Sequence, residues 1–424
     1  KCSSCSKVTF IDIQMSDKPV RVAAIGYGNR SRKYLQYVEE YPDQVQLAAV
    51  VDSNPLRLHE AQKKFGLDDQ YCFSSIDDFF AQPLPLDGVV IGTPDHLHYG
   101  PCMAALDMGY RVLLEKPVSQ TLEECEQILL RSEERQIPVT VCYVLRYHPY
   151  FKKLKSILAR GDLGRLISIN HTVNVGIDRT THSYVRGLWN NSNTSTPIML
   201  AKCCHDIDLI NWYSGSRPKR VFSSGSLTWF HGKNAPKDSA RRCCDCPCEE
   251  SCPFSAIDLY LRRGEWTKNF TVPNGMTLHD VLWEEMRHGP YGRCVYHCDN
   301  NVADHQILSM EMENGVLVNL TMNCFTLNDG RLIELKCAFG EIVANEHSII
   351  VTNFKTQKSE VHDFDSTNQP SLHVTADIGT MKEFIASFNH TCDEDTPSLQ
   401  SAIDSHKTCF ATEESRLTGR AIEL

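Results

Sequence analysis

From Val20 onward the chain alternates short apolar runs with amphipathic stretches. VRVAAI (20–25), VQLAAVVD (45–52), DGVVIGT (87–93), RVLLE (111–115) and IPVTVCY (137–143) are almost continuously apolar. That is the pattern of strands buried on both faces, as in a parallel sheet. The spacing between them predicts helices over about Asn29–Glu40, over Pro55–Phe65, over HLHYGPCMAALDMG and over 121–135. Pro94 stops the strand before it, and Asp95 is placed to N-cap the helix that follows. Strands and helices alternating over short connections predict a doubly wound α/β sheet.

After about residue 146 the pattern changes. PYFKKLKSILARGDLG reads as a helix ended by Gly161 or Gly164, GRLISINHTVNV as a long alternating strand, and LAKCCHDIDLINWYSG as one helix. From 302 long strands follow one another, with a hairpin signal at Asn314-Gly315. Residues 374–424 return to helix. The expected organisation is a first domain over 17–145 and a second, α+β domain over 146–424. The second is built on a large, mostly antiparallel open sheet and carries an insertion over about 230–300. Met15 opens MSDKPVRVAAIG, which reads as an ordinary cytosolic start, so residues 1–16 are expected to be an extension. Cys2 and Cys5 within it have metal-like spacing, but termini are usually loose.

Composition narrows the function. Of 424 residues, 43 are Lys or Arg and 53 are Asp or Glu, a net charge of −10. That argues against an obligatory nucleic-acid or anionic-membrane surface. No apolar run reaches about 18 residues, and no charged-then-apolar leader is visible, so a cytoplasmic protein without a membrane span is expected. The 19 cysteines are an odd number, so they cannot all pair internally. Most, such as Cys142 and Cys324, sit singly in apolar runs and read as small buried hydrophobes in a reducing compartment.

The first strand runs into Gly26-Tyr27-Gly28-Asn29-Arg30-Ser31, the opening of G-x-G-x-x-G with Ser31 in the third place. The first glycine makes a tight turn, and the second lets the backbone approach a pyrophosphate at a helix N-terminus. A plain structural turn is the competing reading. The position of this loop, first in a series of alternating strands and helices, favours a dinucleotide-binding Rossmann domain. Asp52 ends the second strand, where an acid hydrogen-bonds the adenosine ribose and repels a 2′-phosphate, favouring NAD over NADP. Arg57 lies close enough to leave NADP open, and a simple helix cap competes for Asp52. Gly28, Asp52, Thr93 and Glu115 all lie at strand ends, where a doubly wound sheet binds its ligands.

Four stretches together resemble the Gfo/Idh/MocA oxidoreductases: GYGNR, GTPDHLHYGPCMAAL, LLEKPVS and FATEESRLTGRAIEL. The resemblance runs from about residue 20 to 424, and Glu115-Lys116-Pro117 after a strand is its most specific piece. It implies a Rossmann domain, a C-terminal domain on a large open sheet, NAD or NADP, and a sugar or cyclitol substrate. It also implies a cis Lys116–Pro117 bond, a cofactor site that takes in Thr93, Pro94 and His98, and a sheet face covered by another subunit or by the insertion. Homo-oligomerisation is therefore expected.

Lys116 lies one residue beyond a strand end, where a lysine can stabilise a developing alkoxide. A solvated loop lysine is the reading it displaces. Relatives commonly carry D-x-G-x-H-x-x-D on a helix facing the nicotinamide. His205 and Asp208 match its last two marked positions, whereas Ala201 and Cys203 replace the Asp and Gly. His205 is then the base for the substrate hydroxyl, with Asp208 at i+3 orienting its ring, and Lys202 a replacement polar group. Arg146 and Tyr147 fall at the domain junction as pocket candidates. Trp189, ahead of the polar run 190–196, suits a sugar-facing loop. His96 and His305 are weaker candidates. The expected reaction is hydride transfer between a secondary alcohol and the nicotinamide. The rivals are internal redox on a retained NAD, serving epimerisation or glycoside cleavage, and a non-catalytic nucleotide or sugar sensor.

RRCCDCPCEESCPF gathers cysteines at metal-like spacing with turn-making prolines. Cys243, Cys246 and Cys252 together with Cys294 would make a closed structural zinc site. Reduced or disulfide-prone loop cysteines are the alternative.

Overall fold

The computed structural model describes residues 18–364, 372–389, 391 and 396–424. The expected N-terminal extension with Cys2 and Cys5 lies outside the described residues. Six parallel strands form the first sheet: β1 (Val20–Ile25), β2 (Val45–Val51), β3 (Cys72–Phe73), β4 (Gly88–Ile91), β5 (Arg111–Leu114) and β6 (Val139–Val141). Their order is β3-β2-β1-β4-β5-β6. The strands read as continuously apolar because both faces are covered. Ala23, Ile25, Val89 and Ile91 pack against Cys102, Leu106, Cys125 and Ile128 on one side. Val22 and Ala24 pack against Tyr34, Leu35, Met381 and Phe384 on the other. The chain reverses its direction of travel between β1 and β4, which opens a crevice at the carboxyl ends of the strands.

The second sheet has nine strands: β7 (Leu166–Gly176), β8 (Pro218–Ser226), β9 (His305–Met312), β10 (Leu317–Thr326), β11 (Gly330–Cys337), β12 (Gly340–Ala344), β13 (Ser348–Asn353), β14 (Lys358–Asp363) and β15 (Ile422–Glu423). The order is β14-β13-β12-β11-β7-β10-β9-β8-β15. Neighbours are antiparallel except for the parallel pair β7 and β10. Gly315, at φ +85°, turns β9 into β10. Alternation puts Ile169, Leu308, Met310 and Leu320 into the core. The helices Cys204–Ser214 and Leu399–Thr418 pack on this side. The opposite face leaves Phe222, Ile307 and Leu317 exposed.

Four elements depart from the apolar pattern. The helix expected over 29–40 breaks at Leu35 into Asn29–Tyr34 and Gln36–Glu40. The helix expected around His205 breaks at Lys202 and Cys203, between Ile198–Ala201 and Cys204–Ser214. Strand β3 is only two residues long, too short for any periodicity to show. The helix Leu372–Phe388 follows the second sheet in sequence but covers the first, so a boundary at 145/146 separates the sheets and not the layers around them. Asp95 caps no helix; the cap of Pro55–Phe65 is Asn54, whose side chain accepts from Leu56 N and Arg57 N. Between β8 and β9 the insertion folds around a small core of its own that includes Tyr260, Leu282 and Met286. The Arg263 guanidinium pins it to Asp178 through two hydrogen bonds of 2.6 and 2.8 Å. Among the described residues no helix is long and apolar enough to cross a membrane.

Candidate active site

The glycine loop is built by close approach. Gly26 has φ +85°, and a Cβ there would stand 3.0 Å from the Gly92 carbonyl oxygen. Ser31 is fully buried against Gly92, so the contact usually made by a third glycine is made by a serine facing a glycine. Gly28 differs: a Cβ there would meet only the Gly92 oxygen, 4.0 Å away. Its outer side is open, which is the space a pyrophosphate needs beside the backbone. Asp52 ties this loop to the end of β2 by accepting from Tyr27 N and Asn54 N, both at 2.8 Å. The loop and the acid at the next strand end therefore fit a dinucleotide. Gly26→Ala combines a left-handed backbone with a crowded Cβ and is expected to cost about 1–3 kcal/mol. It should also weaken dinucleotide binding; chemical denaturation and cofactor titration check the two effects separately.

Several residues expected at the cofactor do other work. The Tyr27 side chain is wholly buried beside Phe65, so only its backbone borders the loop. Glu115 Oε1 accepts from Arg30 Nε at 2.5 Å and from Tyr34 OH at 2.6 Å, and Arg30 Nη2 continues to Asp377 Oδ1 at 2.6 Å. Burial raises the Glu115 carboxyl pKa, but Arg30 and then Lys116 outweigh it and leave it below the usual range. This network joins the helix Leu372–Phe388 to the glycine-loop helix. His98 is fully buried, with Nδ1 2.6 Å from the Pro117 carbonyl and Nε2 3.0 Å from that of Thr93. It braces the backbone on both sides of the crevice. Thr93 lies at the end of β4 with its hydroxyl on the Leu97 carbonyl, and Pro94 and His96 are exposed. Asn29 donates to Asn269 of the insertion at 3.2 Å, so the insertion reaches the loop.

The chemical groups come from the two domains. The Lys116–Pro117 peptide is cis. Lys116 Nζ donates to the Ala201 carbonyl at 2.7 Å and lies 6.0 Å from the centre of the Trp189 ring. Ala201 ends one short helix, and His205 lies in the first turn of the next. Burial, followed by the charges of Lys116 and Arg331, holds the His205 imidazole well below its usual pKa, so it is neutral at physiological pH. Tyr143 packs edge-on to it at 5.5 Å, and His205 Nδ1 is buried without a hydrogen-bond partner among the described residues.

Asp208 does not orient that ring. Both its oxygens accept from Arg146, at 2.8 and 2.7 Å, and both residues are buried. The i+3 spacing puts Asp208 on the side of the helix that faces Arg146. Arg146, expected against substrate, is therefore committed to an ion pair and stacks over Trp212 at 5.4 Å. Tyr147 is buried too, its hydroxyl without a hydrogen-bond partner among the described residues. Trp189 donates from Nε1 to Asp95 Oδ2 at 2.8 Å, and Thr196 donates to the same oxygen at 3.2 Å. Asn190 binds Asp299, and Ser192 N donates to Asn301, so the polar run is tied into the insertion. His305 lies partly exposed beside Asp304.

Two features escaped the sequence reading, and a third residue, the expected polar group Lys202, has its place fixed by the helix break. Asp206, fully buried, accepts from Arg331 Nε at 2.5 Å and lies 2.9 Å from His171 Nε2. Burial acts to raise its pKa, but Arg331 and His171 hold the carboxyl far below the usual range. His406 accepts from Val118 N at 2.9 Å, just beyond the cis peptide, and burial lowers its pKa to about 4. Lys202 occupies the break between the two helices and is half-buried. The partners of Asp206 and His406 lie more than 30 residues away, where no local pattern reveals them.

The zinc expectation finds no support among the described residues. Cys243, Cys246, Cys252 and Cys294 do line one small cavity, with Arg186. Yet among the described residues no group of three or more His, Cys, Asp or Glu is arranged to hold a metal ion. Cys243 Sγ is engaged by Ala256 N at 3.5 Å and Arg186 Nη2 at 3.8 Å.

With this geometry in place, two family models match the chain. One, described as the NAD-binding Rossmann fold of an oxidoreductase family, covers residues 20–143, and the GFO/IDH/MocA C-terminal domain covers 151–247. YteT of Bacillus subtilis, named as an oxidoreductase, is 23% identical over 346 residues, 75% of this chain and 76% of its own. Inositol 2-dehydrogenase of Corynebacterium glutamicum is 23% identical over 206 residues, 47% of this chain and 56% of its own. The scyllo-inositol dehydrogenase of Lactobacillus casei, solved with NAD(H) and scyllo-inositol, superimposes with a TM-score of 0.66. It is 16% identical, and the match covers 96% of this chain and 99% of that one.

Proposed function

Since the chain belongs to the Gfo/Idh/MocA oxidoreductase family, with its NAD-binding Rossmann fold, we propose that it oxidises a secondary alcohol of a sugar or cyclitol. The observation that carries this reading is the convergence of Lys116, hydrogen-bonded to Ala201 O at 2.7 Å, with His205 four residues further on. Lys116 donates to the substrate oxygen and stabilises the alkoxide. His205, held neutral, accepts the hydroxyl proton. Bound nicotinamide would supply the hydride acceptor. Asp52, anchored by two backbone amides, has lone pairs left for ribose hydroxyls and repels a 2′-phosphate, which supports NAD over NADP. Ordinary buried cysteines such as Cys142 and Cys324 support a cytoplasmic setting, and the exposed Phe222, Ile307 and Leu317 support a homo-oligomer.

The test is reduced-nicotinamide absorbance with NAD or NADP against inositols, hexoses, hexosamines and sugar acids. A substrate-dependent rise with NAD is expected; a flat response across the panel, with NAD bound, contradicts the reading. A pH profile adds a second check. A base must be unprotonated, and the His205 pKa lies well below the usual value. The acid limb of kcat for oxidation should therefore fall well below about pH 6.5, the ordinary histidine value. A limb at 6.5 would remove His205 from the role.

A further inference from the structure

We infer that Cys243 and Cys246 form a redox-active dithiol that hydroperoxides oxidise to a disulfide. The inference goes beyond the dehydrogenase reading and uses none of its residues. Cys243, Cys246, Cys248, Cys252 and Cys294 line one cavity of about 20 Å³, room for a water-sized molecule. Their surroundings differ from those of Cys142 and Cys324, which are packed singly into apolar cores. Arg186 lines the same cavity and is only 1% exposed. Its Nε donates to the Arg293 carbonyl at 2.7 Å and its Nη2 to the Phe254 carbonyl at 2.6 Å. Its Nη1 is buried without a hydrogen-bond partner among the described residues. Glu249, at the edge of the cavity, is held by Arg262 at 2.6 Å and by Ser255. A guanidinium so placed stabilises negative charge that develops on a neighbouring sulfur. The sulfur it meets is Cys243 Sγ, 3.8 Å from Arg186 Nη2, and Ala256 N donates to the same sulfur at 3.5 Å.

Local structure makes Cys246 the second thiol. Cys243–Asp245 is a 3₁₀ turn, closed by Cys246 N on the Cys243 carbonyl at 3.3 Å. Residues i and i+3 eclipse in such a turn, so the two thiols stand on one side of it. Cys246 is half-buried, which gives an oxidant its access. Burial pushes the Cys252 and Cys294 thiols up, which keeps them protonated at neutral pH. Cys243 Sγ attacks the O–O bond of the hydroperoxide. An S–O bond forms, the O–O bond breaks, and the thiol proton leaves with the departing oxygen as water or an alcohol. The Cys246 thiol then attacks the sulfenic sulfur. The S–S bond forms, the S–O bond breaks, and the hydroxyl leaves as water with the Cys246 proton. The dithiol gives up two electrons, and the hydroperoxide takes them.

The experiment treats the reduced full-length protein with hydrogen peroxide and maps each thiol over time by alkylation and mass spectrometry. The half-exposed Cys72 of β3 is the internal reference. Exposure alone predicts that Cys72 reacts before the buried Cys243. The inference predicts the reverse order, by about tenfold or more in rate, with a Cys243–Cys246 disulfide that dithiothreitol reverses. In Cys246→Ser the sulfenic acid at Cys243 should persist long enough for dimedone to trap it. Arg186→Met should slow the oxidation of Cys243 toward the rate of Cys72; if that variant does not fold, the wild-type map and Cys246→Ser still decide. Cys72 oxidised as fast as Cys243 overturns the inference, as does a disulfide of any other pairing. So does a metal ion, found by elemental analysis of the reduced protein, that shields these thiols until a chelator removes it.

Discussion

Replacing Lys116 with methionine should lower kcat for alcohol oxidation by about 10²–10³-fold, with dinucleotide binding intact. Methionine keeps the length of the stem and loses only the charged donor. The transition state develops negative charge on the substrate oxygen, and a preoriented cation in a partly desolvated crevice stabilises it more than it stabilises the neutral alcohol. The glycine loop and Asp52 make no contact with the Lys116 ammonium, so cofactor affinity should hold. A second readout separates this from a structural role. The Lys116 charge is the largest electrostatic contribution, after burial, to the low pKa of His205. Removing it should move the acid limb of kcat upward, toward the ordinary histidine value. A variant that is slow but keeps the wild-type limb would show that Lys116 and His205 do not share a site. Steady-state kinetics across pH and a cofactor titration measure both effects.

Asp206→Ala should destabilise the fold by about 3–5 kcal/mol. The carboxylate is fully buried and holds the Arg331 guanidinium from β11 and His171 from β7. Removing one partner of a buried pair leaves the other charge uncompensated, which costs far more than the pair contributes relative to apolar neighbours. Among the described residues, the carboxylate left to Arg331 would be Glu346 at 3.0 Å. The sign with pH follows from the depressed carboxyl pKa. The stabilisation is complete above about pH 4, the unfolded aspartate value, and is lost as pH falls below it. Wild type should therefore lose more stability on acidification than the variant, and the two should converge at low pH. Urea denaturation at several pH values checks this.

The fold was legible where the physics is local. Continuous apolar runs marked β1, β2, β4, β5 and β6, because strands under two helical layers cannot alternate. Asn314-Gly315 marked the β9–β10 turn, because a left-handed backbone there selects glycine. What the sequence hid depends on distant partners. Asp208 read as a site residue from its place in the family pattern and Arg146 from its place at the domain junction, but they lie 62 positions apart and neutralise each other. Asp95 read as a cap and instead holds Trp189, 94 positions away. The helix Leu372–Phe388 shows an apolar face without showing which sheet it covers. The cysteine spacing pointed to a real convergence, since Cys243, Cys246, Cys252 and Cys294 line one cavity, while Cys243 Sγ meets Ala256 N and Arg186 and nothing among the described residues supports the metal. Thiol spacing along a chain says nothing about how sulfurs point.

The central claim is that Lys116 and His205 act together on a substrate carbinol in net oxidation. The most direct measurement is a single turnover of NAD-loaded enzyme with its best polyol, following reduced nicotinamide in wild type and Lys116→Met. The account predicts one equivalent of reduced nicotinamide with a matching ketone in wild type, formed about 10²–10³-fold more slowly in the variant. Reduced nicotinamide that appears and then disappears without ketone would show internal redox. Equal rates in the two proteins, or no signal from enzyme carrying both ligands, would contradict the account.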